Sequence, residues 1–295
     1  MAASKISPLS VVDSRADIAH DVEIGPFCLI GPDVRIGAGC KLDSHVVLTG
    51  HTTIGCHNRF HSNSVIGDEP QDYSYGGSPT RVEIGDNNVF REGVTVHRGA
   101  EKEDGVTRIG HRNMFMANSH VAHNCQIGDG VVLINGVLLG GHVRVHDHAI
   151  VSGNAVVHHF ATLGTMCFVS GSSKVHADVP PYMLYEGCDI REVRTINYVG
   201  LQRNGILDST VTLLKQAHRL LFRECKVVTE VREFFRSQLG DVLPFELTNL
   251  LSFLEERKDG RKGRAGEARR GQKFSLDSGD EAATVEGTQE LRRAA

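Results

Sequence analysis

A large apolar residue returns at every sixth position over two long stretches of this chain, and that period constrains the fold more than any other feature. One run is Val12, Ile18, Ile24, Ile30, Ile36, Leu42, Leu48, Ile54, Phe60 and Ile66. The other is Ile109, Phe115, Val121, Ile127, Leu133, Leu139, Val145, Val151, Val157, Leu163, Val169 and Val175. Six fits neither the 3.6-residue turn of a helix nor the alternation of a single strand, so the repeat must be a supersecondary unit. Two residues before each large side chain stands a small or β-branched one, as at Cys28, Val34, Cys40, Val46, Ser64, Ser119, Cys125, Val131, Ala149, Ala161 and Cys167. Residues two apart on a strand share a face, so both point inward. Glycine follows the large residue at Gly25, Gly31, Gly37, Gly55, Gly67, Gly85, Gly110, Gly128 and Gly140, where the chain turns.

Strand, corner, strand, corner is the hexapeptide pattern of the left-handed parallel β-helix, an all-β solenoid in which three hexads close one triangular coil. About eight coils fit between residues 6 and 180, stacked about 4.8 Å apart. Parallel crossovers are ordinarily right-handed, so the left hand comes from the resemblance and not from the spacing. Few aromatics and no Trp suit a thin aliphatic core. The N-terminal MAASKISPLS has no signal-like apolar region, and the most apolar stretch, Val131 to Gly141, is too short to span a bilayer. The seven cysteines form no CxxC pair and several fall on inward positions, which reads as core packing in a reducing, cytoplasmic compartment. A net charge of −4 argues against a general nucleic-acid binder.

Two segments break the repeat. Residues 68–81 are rich in Gly, Pro and Tyr, and residues 98–107 are charged and shift the hexad phase by one position. Loops ejected from a rigid scaffold are where binding residues gather. Residues 1–185 thus form the β-helix, and 186–257 a linker and a C-terminal α-helical domain. Its first helix is capped by Asp208 or Ser209 and carries the stripe Val211, Leu214, Ala217, Leu221 and Cys225. Lys215, Arg219 and Arg223 form a basic stripe beside it. Further helices are predicted over Val227–Leu239, ending at Gly240, and from Pro244 to about Arg257. Residues 258–295, charged and poor in large apolar side chains, read as a disordered tail.

Residues eighteen apart lie above one another in such a coil. His123, Gly141 and His159 therefore form one column, Asn124 lies below His142, and Ala122, Gly140 and His158 form a third column, with His120 nearby. A near-neutral imidazole takes a proton from a hydroxyl, and a glycine leaves its N–H open to a developing oxyanion. Acyl transfer to an alcohol needs both. Three imidazoles also make a zinc site, and solenoids of this type include a carbonic-anhydrase family, so a zinc-dependent hydratase is a second reading. A non-catalytic trimeric binding scaffold is the third.

At these positions the chain resembles the UDP-N-acetylglucosamine 3-O-acyltransferase family, which begins lipid A synthesis. The resemblance rests on IGPFCLIGPDVRIG, SHVVLTGHTTIG, GDEPQDYSYGGSPTRVEIG, VTVHRG, SHVAHNCQIG, GGHVRV, AVVHHF, ADVPPY and GLQRNGI, in that order. It implies His123 as general base, Gly141 as oxyanion donor, and His120, His142 and His158 as groups orienting substrate. It also implies that Gln71, Asp72 and His97 line the site, that Asn197 and Arg203 hold nucleotide and phosphates, and that Gly171 limits acyl length. No metal or cofactor is implied; the acyl donor is the phosphopantetheine thioester of acyl-carrier protein, and family members are homotrimers with sites between subunits and no stable membrane insertion.

Five positions depart from the family pattern. Asn124 stands where an Asp follows the base, Val199 for a Glu, Asn204 for a second Arg, Ser74 for a Lys and His159 for a Gln. A different nucleotide sugar or an amino-sugar acceptor is the corresponding variant of the reading. Acyl-carrier protein is acidic, so the Lys215, Arg219 and Arg223 stripe is the candidate docking surface.

Overall fold

A computed structural model describes residues 3–187 and 192–269. Among these residues the strands lie in three sheets of eleven, nine and eight, the faces of a left-handed triangular prism. Each strand pairs in parallel with the one a coil away, as in Ile24↔Leu42, Val121↔Leu139 and Val145↔Leu163. The only antiparallel pair among the described strands is Met183–Tyr185 with Val193–Ile196, where the chain leaves the prism. Both inward positions of the hexad are filled as their chemistry requires: Cys28, Cys40, Ser64, Ser119, Cys125, Ala149 and Cys167 are buried beside Ile30, Leu42, Ile66, Val121, Ile127, Val151 and Val169. Burial pushes the Cys40 thiol up to about 11 and Cys125 up to about 12, so these cysteines act as small hydrophobes.

Three phenylalanines measure the stacking directly. Phe60, Phe90 and Phe115 lie ring on ring at 4.7 and 4.8 Å, nearly parallel, so one coil advances by one inter-strand spacing. Phe60 pairs with Phe90 and Phe90 with Phe115 although thirty and twenty-five residues separate them. The two loops therefore add about twelve and about seven residues to an eighteen-residue coil, and the second of these gives the one-position phase shift. Two residues before each phenylalanine stands Asn58, Asn88 or Asn113, fully buried. Their amides form an internal ladder: Asn58 Oδ1 accepts from Asn88 N–H at 2.9 Å, Asn88 Oδ1 from Asn113 N–H at 2.9 Å, and Asn113 Oδ1 from Val131 N–H at 2.6 Å. Buried amides are tolerated here because each meets a backbone partner in the next coil.

Beyond the prism, α1 (Tyr198–Arg203), α2 (Asp208–His218), α3 (Val228–Leu239) and α4 (Phe245–Asp259) enclose a second core of Leu201, Val211, Leu214, Val231, Phe235, Leu247 and Leu250. Tyr182 and Met183 join that core from the last coil, and Asn249 donates to Tyr182 Oη at 2.8 Å. Among the described residues no helix is long and apolar enough to cross a membrane.

Three expectations are corrected here. Leu207, not Asp208 or Ser209, occupies the N-cap of α2, and Asp208 sits in its first turn, where a carboxylate favours the helix dipole. A π-helical turn over Arg219–Arg223 follows α2 and rotates the apolar stripe, burying Leu220 and leaving Cys225 exposed at φ 54°. Structure also continues past Lys258. α4 runs to Asp259, and a 3-10 turn at Ala265–Arg269 packs back on the prism. Arg264 and Glu267 are buried as a pair, Arg264 also reaches the His176 carbonyl, and Asp178 Oδ2 accepts from Ala265 N–H at 2.7 Å. Polar pairing and not apolar area secures this arm, so low hydrophobicity concealed it. Residues 270–295 of the expected tail lie outside the described residues.

Candidate functional site

The eighteen-residue arithmetic places Gly141 directly on His123. A Cβ at Gly141 would lie 2.6 Å from His123 Cε1 and Nε2, so only glycine leaves room for the ring. His123 Nδ1 meets Asn124 Oδ1 at 2.9 Å. An amide oxygen only accepts, which fixes the proton on Nδ1 and leaves Nε2 as the basic nitrogen beside Gly141. Burial pushes the His123 pKa below its usual range, partly offset by the Asn124 bond, so the ring stays neutral near pH 7. Gly140 N–H donates to Val157 O and His142 N–H to His123 O. Between them the Gly141 N–H meets no acceptor among the described residues.

Asn124 is fully buried and does more than hold the imidazole. Its Oδ1 also accepts from Ala100 N–H at 2.8 Å, and its Nδ2 donates to Lys102 O at 2.8 Å. The second loop is thereby fastened to the residue that orients His123. That loop in turn grips the first. Lys102 Nζ lies 2.6 Å from Asp72 Oδ2, Glu101 accepts from the Gly76 and Ser78 N–H groups at 3.0 and 3.1 Å, and Arg98 pairs with Glu69 at 3.2 Å. Burial works to raise the Asp72 pKa, but Lys102 and the Ser74 N–H and Oγ–H donors prevail and hold the carboxylate well below its usual range.

Asp72, Lys102, His123, Gly141, His142, His159 and Phe160 line a cleft of about 260 Å³. A much larger hollow of about 1370 Å³ runs along the eight-stranded sheet past Glu83, Arg108, Gln126 and Arg144. It contains neither His123 nor Gly141, and Arg108 there is engaged by Glu83 at 3.1 Å. The smaller cleft is the candidate active site because base, open N–H and carboxylate meet there.

Other expected residues are placed unevenly around it. His142 is buried, stacked on Phe160 at 4.4 Å and edge-on to His123 at 5.2 Å. His120 lies edge-on to His97 at 5.0 Å, and its Nδ1 meets Thr95 Oγ1 at 2.7 Å. Burial, with repulsion from His97 and His123, pushes His120 down to about 4, and burial lowers His97 as well. His158 and His159 are in ring contact at 3.9 Å. Gln71 and Gly171 are exposed, Gln71 on the first loop and Gly171 at a prism corner. Asn197 and Arg203 do not line the cleft of the single chain. Asn197 is buried as the N-cap of α1, accepting from Gly200 N–H and donating to Met166 O. Sequence reasoning missed Lys102, Glu101 and Glu103, whose only signal was that the second loop carries charges able to meet Glu69 and Asp72 of the first.

Comparison with known proteins places the chain in a family. The family described as UDP N-acetylglucosamine O-acyltransferase, domain 2, matches residues 178–263, and the bacterial transferase hexapeptide (six repeats) matches 15–50 and 107–141. The acyl-[acyl-carrier-protein]–UDP-N-acetylglucosamine O-acyltransferase of Syntrophobacter fumaroxidans is 43% identical over 256 residues, which cover 87% of this chain and 98% of that protein. The chain belongs to the UDP-N-acetylglucosamine O-acyltransferase family. Among solved structures of this family, LpxA from Acinetobacter baumannii is 37% identical, with a TM-score of 0.80 over 85% of this chain and 96% of that one. The Francisella novicida UDP-N-acetylglucosamine acyltransferase is also 37% identical, with a TM-score of 0.79 over 85% of this chain and 91% of that one. The helical domain carries the family match over 178–263.

Proposed function

We propose that this chain transfers a 3-hydroxyacyl group from acyl-carrier protein to the 3-hydroxyl of UDP-N-acetylglucosamine in lipid A biosynthesis, with His123 as general base. Family membership supports donor, acceptor and pathway and sets aside the carbonic-anhydrase-like reading. The observation that carries the role of His123 is its Nδ1 contact with Asn124 Oδ1 at 2.9 Å, which leaves Nε2 free beside Gly141.

In this reading Nε2 takes the proton as the sugar hydroxyl attacks the thioester carbonyl. The carbonyl oxygen, now negative, accepts from the Gly141 N–H, a type of donor worth roughly a hundredfold or more in rate. Collapse breaks the carbon–sulfur bond and the His123 imidazolium returns the proton to the departing phosphopantetheine thiolate. Asp72 favours the transient imidazolium through space. The donor needs no resident cofactor on the protein. Three copies of the chain form the working unit, bringing Asn197, Arg203 and the first loop to neighbouring clefts, and the basic stripe beside α2 receives the acidic carrier. Within that stripe Arg219 is engaged by Glu224 at 2.9 Å and Lys215 lies over the Tyr198 ring at 4.8 Å.

Purified protein given 3-hydroxyacyl-carrier protein and UDP-N-acetylglucosamine forms the 3-O-acyl product and releases carrier thiol. Val199 is exposed and Asn204 donates its side chain to Gly200 O, so neither repeats the charged contact usual in the family. The assay therefore includes the 3-amino sugar nucleotide as a competing acceptor. Preferential amide formation would overturn the choice of acceptor, and no transfer to either would overturn the reaction.

A further inference from the structure

His142 has two nitrogens in different circumstances. Glu103 Oε2 lies 3.2 Å from Nδ1, and both side chains are almost wholly buried, at 4% and 12% exposure. Nε2 is buried and has no hydrogen-bond partner among the described residues. The ring borders the His123 cleft, whereas Glu103 borders the wide hollow behind it. Phe160 stacked at 4.4 Å and His123 edge-on at 5.2 Å prevent the ring from turning its other edge to Glu103 without repacking.

A buried polar nitrogen without a partner is costly unless something completes it. A carboxylate accepts and cannot donate, so Glu103 keeps a proton on Nδ1. With the proton on Nδ1, the neutral form of the ring offers Nε2 only as an acceptor. What completes it must be a donor, an O–H or N–H, entering the cleft that contains His123 and Gly141.

Glu103 is held where this requires. It occupies a left-handed backbone position, φ 53°, in the second loop. Asn124 fastens that loop through Ala100 N–H and Lys102 O, and the Lys102–Asp72 contact ties it to the first loop. A non-glycine residue at such a φ persists when surrounding contacts determine it, and these contacts do so.

We propose that Glu103 is a positioning residue that fixes the proton of His142 on Nδ1, so that Nε2 accepts a hydrogen bond from a hydroxyl or amide N–H of the acceptor sugar. This rests on the acyltransferase reading of the cleft. Glu103 touches no reacting atom; its effect reaches the substrate through His142. Asn124 and Glu103 thus do the same service for adjacent imidazoles, one with a neutral acceptor and one with a charged one.

The test compares Glu103→Ala and Glu103→Gln in the full chain, measuring kcat and the KM for each substrate, with imidazole 15N spectra of His142. Glu103→Ala should raise the KM for UDP-N-acetylglucosamine about tenfold, leave the carrier-protein KM within about twofold, and shift the His142 signals toward mixed tautomers. Glu103→Gln keeps an acceptor and should restore the sugar KM to within about threefold of wild type. In a His142→Ala background the Glu103→Ala effect should vanish. An unchanged sugar KM in Glu103→Ala, a change confined to kcat, or full additivity with His142→Ala overturns the proposal. If wild type transfers no acyl group at all, the acyltransferase reading fails instead, and the His142 spectra still decide the role of Glu103 in fixing the tautomer.

Discussion

Two corners of the prism share a backbone and differ in occupants. Along the middle coils of one corner the left-handed position is filled by Asn63, Gly93, Asn118, Gly136 and Asn154, residues that adopt positive φ at little cost, with Phe27, His45 and Ser172 in the coils beyond them. Along the other, Asn124, His142 and Phe160 stand at φ 57°, 62° and 64°. Bulky side chains there cost roughly 1 kcal/mol or more apiece. The first corner is a ladder optimised for stacking. The second gives up part of that stability to crowd imidazoles around an open N–H, and both loops close over it.

Substitutions at matched places separate the two. Removing the base has the largest expected effect: His123→Ala should lower kcat about a thousandfold, the usual reach of a general base, with the thermal midpoint little changed. A loss under about tenfold would mean that another group takes the proton. Next come two glycines. Gly141→Ala drives a methyl into the His123 ring, 2.6 Å away, and should cost about a hundredfold in kcat by displacing it. Gly136→Ala, at φ 70° and 2.4 Å from Asn154 Oδ1, should instead cost about 1–2 kcal/mol of stability and leave the kinetics of the folded protein alone. Denaturant titration beside steady-state assay distinguishes them, and an exchange of the two phenotypes would dissolve the contrast between the corners.

A smaller effect concerns acid. His120 is held down to about 4 against an ordinary 6.5, so the unfolded chain binds its proton first as pH falls. The stability due to the neutral buried ring is intact above pH 6.5 and drains away between 6.5 and about 4. His97 and His218, lowered by burial, act in the same direction. His120→Gln should flatten the fall of unfolding free energy over that interval. An unchanged slope would show that His120 is not the group responsible.

The prism was legible because the hexad is a strict period and stacking follows by subtraction. The same subtraction brought His123 to Gly141, and the structure places them in contact. Motifs supplied the family and the proposed roles of Gln71, Asp72, His97, Asn197 and Arg203, of which the single chain brings Asp72 into the cleft and leaves the others outside its lining. The lacing of the loops through Asp72, Lys102 and Glu101 was not legible, since it depends on irregular backbone with no period. Asn58, Asn88 and Asn113 were visible only as letters. Their ladder needs the register across two insertions, which the sequence marks without measuring. The π turn at Arg219–Arg223 escaped because helical periodicity assumes 3.6 residues per turn throughout.

Asn124 is where the two corners meet in one residue: an asparagine suited to positive φ that also orients the base. The pH dependence of kcat/KM for wild type and Asn124→Asp, measured side by side, tests most directly whether His123 works as described. Burial lowers His123 below its ordinary 6.5, so wild-type activity should hold a plateau through neutrality and fall only on an acid limb below that value. A carboxylate at 124 favours the imidazolium and should move that limb up by about one unit. Superimposed limbs, or a wild-type limb lying above 6.5, would contradict His123 as the base held by Asn124.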